Sequence, residues 1–206
     1  MVEKMTIKLV RKLEDEKLIN MEHREHYEYA LITMAERYIT IGTIVLLAVI
    51  YKQIIPTLCF TSFFFSLRKR TGGYHANKFW QCYLGTVLTY VMIIKMGMVL
   101  SKNLIFLYGL LFVSVVLIAV IGTVNHPNMD MEREELRESK KVARLLTLLD
   151  IVIILLLIAL GIDEIYITYI SMAIILCATL LCLAKIISVL VVGLLYNFLL
   201  NTYVNF

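Results

Sequence analysis

The chain has 206 residues, of which 60% are hydrophobic and 17% are charged, and its formal net charge is +4. Soluble domains are closer to half apolar and a quarter charged, so this composition excludes an ordinary soluble domain and favours one membrane domain. The first 37 residues lack the apolar stretch of a cleavable signal peptide, and the four cysteines lie in or beside apolar runs, unlike a secreted disulfide framework.

Residues 1–37 combine many charges with apolar residues three to four positions apart. Met5, Leu9 and Leu13 form one such series, and Leu18 with Met21 forms a second. This spacing predicts two short amphipathic helices. The segment is too polar to cross a bilayer, so we expect an arm that lies on the membrane surface or in a groove of the protein. An ordinary solvated helical arm is the alternative.

Six apolar segments follow the arm and predict the membrane domain, residues 38–206. They cover residues 38–51, 54–67, 79–100, 103–124, 145–161 and 165–184. A spanning helix needs about 20 apolar residues, which the last four segments approach. The first two are short and predict either two tilted helices joined by a tight turn or a re-entrant pair. The apolar tail, residues 185–206, extends the sixth helix, lies in the interface or forms a seventh span.

The basic residues fall on alternate connections of this predicted set. Seven of the 20 Lys and Arg lie in residues 1–37, four in the loop 68–78 and five in the loop 125–145. Cytoplasmic connections carry an excess of Lys and Arg. The sequence therefore predicts an all-α integral membrane protein of about six transmembrane helices, preceded by amphipathic N-terminal helices, with the N-terminus and both basic loops in the cytoplasm.

The first basic loop reads RKRTGGYHANKFWQC and ends at Cys82. A cysteine attacks as its thiolate, which nearby positive charge favours. Cys82 lies in the first turn of the predicted third span, where the helix dipole is positive. Arg68, Lys69, Arg70 and Lys78 add positive charge with no acidic residue between them. His75 precedes Cys82 by seven residues and is a candidate base.

The spacing between the two residues requires a bend. Positions seven apart on one helix are about 10 Å apart along its axis, too far for a hydrogen bond. His75 must therefore lie off the helix and fold back over its start, which Gly72 and Gly73 permit. A buried apolar cysteine, a topology anchor of basic residues and a solvated histidine remain the simpler alternatives. No metal site is predicted, because Cys82, His75 and His126 offer three ligands at most, from distant loops.

The same stretch resembles the motif of the accessory gene regulator B family, which are membrane cysteine endopeptidases of Gram-positive quorum-sensing systems. The similarity includes Arg68, Gly73, the string Tyr74-His75-Ala76, and Cys82 seven residues after the histidine. The segment NHPN at residues 125–128 resembles a second family motif, although Met129-Asp130-Met131 follows it where a Lys-Pro-like continuation is expected.

The resemblance implies that the chain cuts a quorum-sensing precursor peptide through a Cys82 acyl-enzyme, with His75 as base, and helps to close it to a thiolactone or lactone. It implies no cofactor, no nucleic acid, a homodimer, and a precursor with an acidic end that a cationic loop would attract. The supporting residues expected beside Cys82 and His75 are Arg68, Gly73, Arg70, Lys78, Gln81 and Asp150.

Asp150 has several possible partners in the predicted fifth span. It would orient His75, pair with Lys95 or Arg144, or extend to the interface, since charged groups inside a membrane are costly and tend to be functional.

Two other functions remain open from the residues alone. Charges within spans also suit a small peptide transporter or exporter without covalent catalysis, and an assembly scaffold would need no reactive thiol.

Overall fold

The computed structural model describes residues 6–7, 10–12, 14, 24–71, 79–124 and 132–204, with side chains up to Ile187 except those at 24–26, 29, 33 and 79. Within these residues there is no strand, and the long helices are α1 (Arg24–Ile50), α2 (Ile54–Thr71), α3 (Phe79–Leu100), α4 (Leu104–Ile121), α5 (Arg133–Ala159) and α6 (Glu164–Val204).

Five of these helices are long and apolar enough to cross a membrane. The candidate spans are Ala30–Ile50, Trp80–Leu100, Leu104–Ile121, Arg133–Ala159 and Glu164–Ile187. The prediction of an all-α membrane protein is confirmed. The described helices provide one span fewer than the six predicted, and the difference is α2. Its 18 residues include Arg68, Lys69 and Arg70, so the part of α2 without these charges is too short to span a bilayer.

Helix α1 runs without interruption through residue 37, where the sequence predicts the boundary between arm and membrane domain. The segment contains no proline and a single glycine, Gly42, so nothing in it ends a helix. The helix is therefore longer than the predicted first span, and its candidate span begins at Ala30. The division into two domains stays a prediction.

A tight turn at residues 51–53 separates α1 from α2. Lys52 adopts a positive φ of 54°, and its N–H donates to the Val49 carbonyl at 3.0 Å. Pro56 lies in the first turn of α2, where the missing N–H removes no intrahelical bond. The structure thus forms two helices from the two short predicted segments.

Helix α6 continues to Val204, so the backbone of the predicted tail extends the last helix. The chain divides into two compact units. One comprises Met1–Lys52 and Ala76–Val91, and the other comprises Gln53–His75 and Met92–Phe206.

In the second unit, α6 is the central helix and packs against α2, α4 and α5. Its buried face includes Ile174, Cys177 and Leu181, which meet Leu67 of α2 and Ile118 of α4 in one apolar cluster. Lipid-exposed apolar residues gain nothing from leaving lipid, so such helices are held by close van der Waals packing.

Within this unit, the α3 backbone approaches α6 at Gly97. A Cβ atom added to Gly97 would lie 2.8 Å from Cε2 of Tyr169, whose ring is fully buried. The absence of a side chain at Gly97 therefore allows the tyrosine ring to pack directly on the α3 backbone.

Candidate functional site

Cys82 lies in the first turn of α3, as the sequence predicts, and its side chain is a half-buried free thiol. The first four N–H groups of a helix have no carbonyl partner within it, and they place partial positive charge at this end. The Thr86 hydroxyl donates to the Cys82 carbonyl at 2.8 Å. The thiol therefore lies at a helix start that favours an anion, and it is accessible to a reactant.

The residue after Cys82 joins α3 to α1 within the first unit. The hydroxyl groups of Tyr83 and Thr43 are 3.1 Å apart and form a hydrogen bond. The side chains of Trp80 and Gln81, which precede Cys82, are exposed. The start of α3 is thus held on one side by α1 and open on another.

The predicted base cannot be placed beside the thiol from the described residues. Gly73, His75 and Lys78 lie outside them, so the distance between His75 and Cys82 stays a prediction. Arg70 is exposed in the last turn of α2, and Arg68 is half-buried one residue after the buried Leu67.

The end of α2, four residues before His75, lies beside residues 123–124, which directly precede the NHPN segment. The Thr123 hydroxyl donates to the Arg70 carbonyl at 2.8 Å, and the Val124 N–H donates to the Thr71 carbonyl at 3.3 Å. Thr71, Thr123 and Val124 are all buried. The end of α2 and the chain leaving α4 are therefore fixed to each other.

Helix α5 contacts the same region through Lys140. Gly122, with φ of 73°, ends α4, and a Cβ added there would lie 2.9 Å from the Lys140 Cγ. We call this region the basic end of the second unit. It is formed by the last turn of α2 with Arg68, Lys69 and Arg70, by residues 122–124, and by the N-terminal half of α5 with its five Lys and Arg.

Asp150 lies on the buried face of α5, in a stripe with Ala143, Thr147 and Ile154. Its side chain is only 5% exposed, and its Oδ2 accepts no hydrogen bond from the described residues. The side chains of Lys95 and Arg144, two of its candidate partners, are exposed. Asp150 is therefore a buried carboxyl group whose interactions within the described residues do not explain its position.

Arg68 directly follows Leu67, and Asp150 lies one helical turn before Ile154; Leu67, Ile154 and Cys177 belong to one apolar cluster. Cys177 is fully buried in α6, and its Sγ donates to the Phe64 carbonyl of α2 at 3.7 Å. Cys177 is thus a packing residue of the core. The half-buried Arg68 and the buried Asp150 therefore lie in the same part of the second unit.

Thr123 is the residue at the basic end that the sequence interpretation did not single out. The sequence gives little indication of its role, because a threonine between Gly122 and the NHPN segment is ordinary after the end of a helix. Only the fold brings its hydroxyl to α2, 53 positions earlier. Within the described residues no three His, Cys, Asp or Glu side chains come together as metal ligands.

The sequence profile of the accessory gene regulator B family matches residues 3–183. No curated protein and no solved structure shows significant similarity to the chain. The matched region contains both loops at the basic end, all of α1 to α5 and the first half of α6, and so covers most of the chain. The protein therefore belongs to the accessory gene regulator B family, which acts in accessory gene regulation and the processing of its autoinducing peptide.

Proposed function

We propose that this chain is a membrane-embedded cysteine endopeptidase that removes the C-terminal tail of a quorum-sensing precursor peptide and helps to cyclise the remainder. The observation that carries the proposal is the half-buried thiol of Cys82 in the first turn of a membrane-length helix, inside the region that matches the family. A thiol at a positive helix start, directly after a basic loop, is suited to nucleophilic attack.

The first chemical step forms a thioester. His75 accepts the proton of Cys82, and the thiolate attacks the carbonyl carbon of the bond to be cut. The new C–S bond remains when the C–N bond breaks. His75 then returns the proton to the departing amine, so that the acidic tail leaves and the N-terminal part of the precursor stays on Cys82.

The second step closes the ring. An internal cysteine thiol of the precursor gives its proton to His75 and attacks the thioester carbonyl. The new C–S bond closes the thiolactone as the bond to Cys82 breaks, and the Cys82 thiolate takes the proton back from His75. One thioester replaces another, so the exchange needs no ATP. A serine hydroxyl in the same position of the precursor gives a lactone. The half-burial of Cys82 supports this order of events, because limited water access disfavours hydrolysis of the acyl-enzyme.

Several other groups have proposed supporting roles. The backbone N–H groups at the start of α3, with the exposed amide of Gln81, are candidates to stabilise the oxyanion. Gly73 supplies the bend that brings His75 back to Cys82. Arg68 orients the loop or binds carboxylates of the precursor, and Arg70 and Lys78 attract its acidic tail. Asp150 is proposed to orient His75 from within the bundle.

The proposal places the protein in the cell membrane with its N-terminus and basic loops in the cytoplasm. Its partners are the precursor peptide, the lipid bilayer and a second copy of the chain. A peptide transporter is the second candidate, favoured by Asp150, because a buried carboxyl group in a membrane-length helix is a frequent feature of transport paths.

Co-expression with a candidate precursor gene distinguishes the two functions. We expect the native chain to yield a shortened or cyclic peptide by mass spectrometry, and Cys82→Ala and His75→Ala to leave the full-length precursor. The Cys182→Ala variant is the matched control, since it removes another half-buried thiol. Normal precursor processing by Cys82→Ala would exclude catalysis by Cys82, and uncleaved precursor with the native chain and the variant alike would leave the transporter.

A further inference from the structure

We propose that Thr123 is a positioning residue, which holds the end of α2 so that the loop with the catalytic base leaves from a fixed point. The inference rests on the proposed peptidase function, because it assigns Thr123 a role in that reaction. It concerns the described residues at the basic end, where the end of α2 lies beside residues 123–124.

Thr123 and Val124 donate hydrogen bonds to carbonyl groups at the end of α2 that have no N–H partner within that helix. The last four carbonyl groups of a helix have no N–H partner within it. At the end of α2, the Arg70 carbonyl accepts from the Thr123 hydroxyl at 2.8 Å. The Thr71 carbonyl accepts from the Val124 N–H at 3.3 Å. The chain leaving α4 therefore caps α2.

These hydrogen bonds matter for stability because most of the residues that form them are buried. Thr71 is fully buried, Thr123 is 4% exposed and Val124 is 8% exposed, and the bond from Thr123 to the Arg70 carbonyl is partly buried although Arg70 itself is exposed. A partly buried acceptor that loses its partner pays part of its desolvation cost. Removal of the Thr123 hydroxyl is therefore expected to release the last residues of α2 from this position.

The turn that presents Thr123 is itself restricted. Gly122 has a φ of 73°, which a residue with a side chain adopts at a cost. A Cβ there would also approach the Lys140 side chain of α5, with 2.9 Å to Cγ and 3.2 Å to Cβ. The geometry thus fixes Thr123 from both sides, through the turn at Gly122 and through the bond to α2.

The position of Thr71 in the sequence connects this cap to catalysis. His75 follows Thr71 by four residues, so a displaced end of α2 displaces the origin of the short segment that carries the base. Such a displacement lowers the fraction of molecules with the base in reach of Cys82. It affects the binding of the precursor less, because the charges of Arg68 and Arg70 act over a longer distance than a proton transfer does.

The test compares Thr123→Val, which keeps shape but loses the hydroxyl, with Thr123→Ser, which keeps the hydroxyl. The matched control is Thr168→Val, because Thr168 is also fully buried but donates within its own helix, to the Glu164 carbonyl at 2.7 Å. The precursor is cleaved in proteoliposomes at several concentrations, and Cys82 alkylation by iodoacetamide at neutral pH is timed in parallel without precursor.

We expect Thr123→Val to lower kcat roughly five- to tenfold with little change in KM, as for one lost, partly buried hydrogen bond. Alkylation of Cys82 should slow as well. Thr123→Ser should restore both rates, and Thr168→Val should match the native protein. Native rates in Thr123→Val, or a defect that Thr123→Ser does not restore, would overturn the inference.

Gly122→Ala provides a second variant if Thr123→Val does not accumulate in the membrane. It keeps the Thr123 hydroxyl but disturbs the turn, and the same selective loss of kcat is expected. Native kcat in this variant would overturn the inference. Cys82→Ala separates the two proposals: cleavage without Cys82 removes the peptidase itself, whereas cleavage that needs Cys82 but ignores Thr123 removes only the positioning role.

Discussion

Asp150 is a buried acidic residue in a helix that is otherwise apolar around it. Its Oδ2 accepts no hydrogen bond from the described residues, and an unsatisfied buried polar group costs about 1–3 kcal/mol. Packing alone would favour an apolar residue of similar size. The proposed role beside the catalytic loop gives a reason why this cost is tolerated, since functional sites commonly retain groups that stability alone does not favour.

Replacement of Asp150 by Asn should therefore separate stability from function. The Asp150→Asn side chain has the same shape without the charge, so we expect thermal stability in detergent to stay equal or rise. Precursor cleavage should fall at least tenfold, because an amide orients a histidine less strongly than a carboxylate does. Asp163→Asn is the control, since Asp163 is exposed in the turn before α6. Full cleavage by Asp150→Asn would contradict the supporting role.

The four cysteines differ in ways that the sequence predicts only in part. The basic loop and the helix start identify Cys82 as the candidate nucleophile, and the structure places it half-buried in the first turn of α3. Cys177 lies in an equally apolar run, but only the fold shows that it is fully buried against α2. Contacts between distant segments, such as Thr123 with Arg70, depend on packing that no local pattern encodes.

At the scale of elements, hydropathy predicts where the helices are but not where each begins. Charges in residues 24–37 suggest a surface arm, yet α1 is continuous because helix-breaking residues, and not charges, end helices. The basic cluster at the end of α2 changes the length of the predicted span and not the end of the helix. It belongs to the helix, so the apolar part of α2 is shorter than a span.

The packing of α3 on α6 depends on Gly97, and this dependence is measurable. Gly97→Ala would place a methyl group against the buried ring of Tyr169, and such overpacking typically costs about 1–3 kcal/mol. We expect a lower melting temperature in detergent. Gly109→Ala in α4 is the matched control, because a Cβ there meets nothing within 4 Å, and it should be neutral or slightly stabilising. Equal melting temperatures for both variants would contradict the close approach.

The whole molecule combines an apolar set of helices with basic residues gathered at one end of the second unit. Composition alone predicts the membrane protein, since 60% hydrophobic residues exceed what a soluble core of this size buries. The concentration of Lys and Arg in alternate connections predicts that the basic end faces the cytoplasm. An acidic precursor tail would meet complementary charge there, which favours encounter more than it favours tight binding.

The central claim is that Cys82 forms a covalent thioester with the shortened precursor. The most direct measurement is the intact mass of the purified protein after brief incubation with precursor in lipid, followed by acid quenching. We predict an adduct equal to the precursor without its tail, located on Cys82 by peptide mapping and released by hydroxylamine. The Cys82→Ala variant should carry no adduct and release no tail. Tail release by the native protein with no adduct at Cys82, and equal release by Cys82→Ala, would contradict the account.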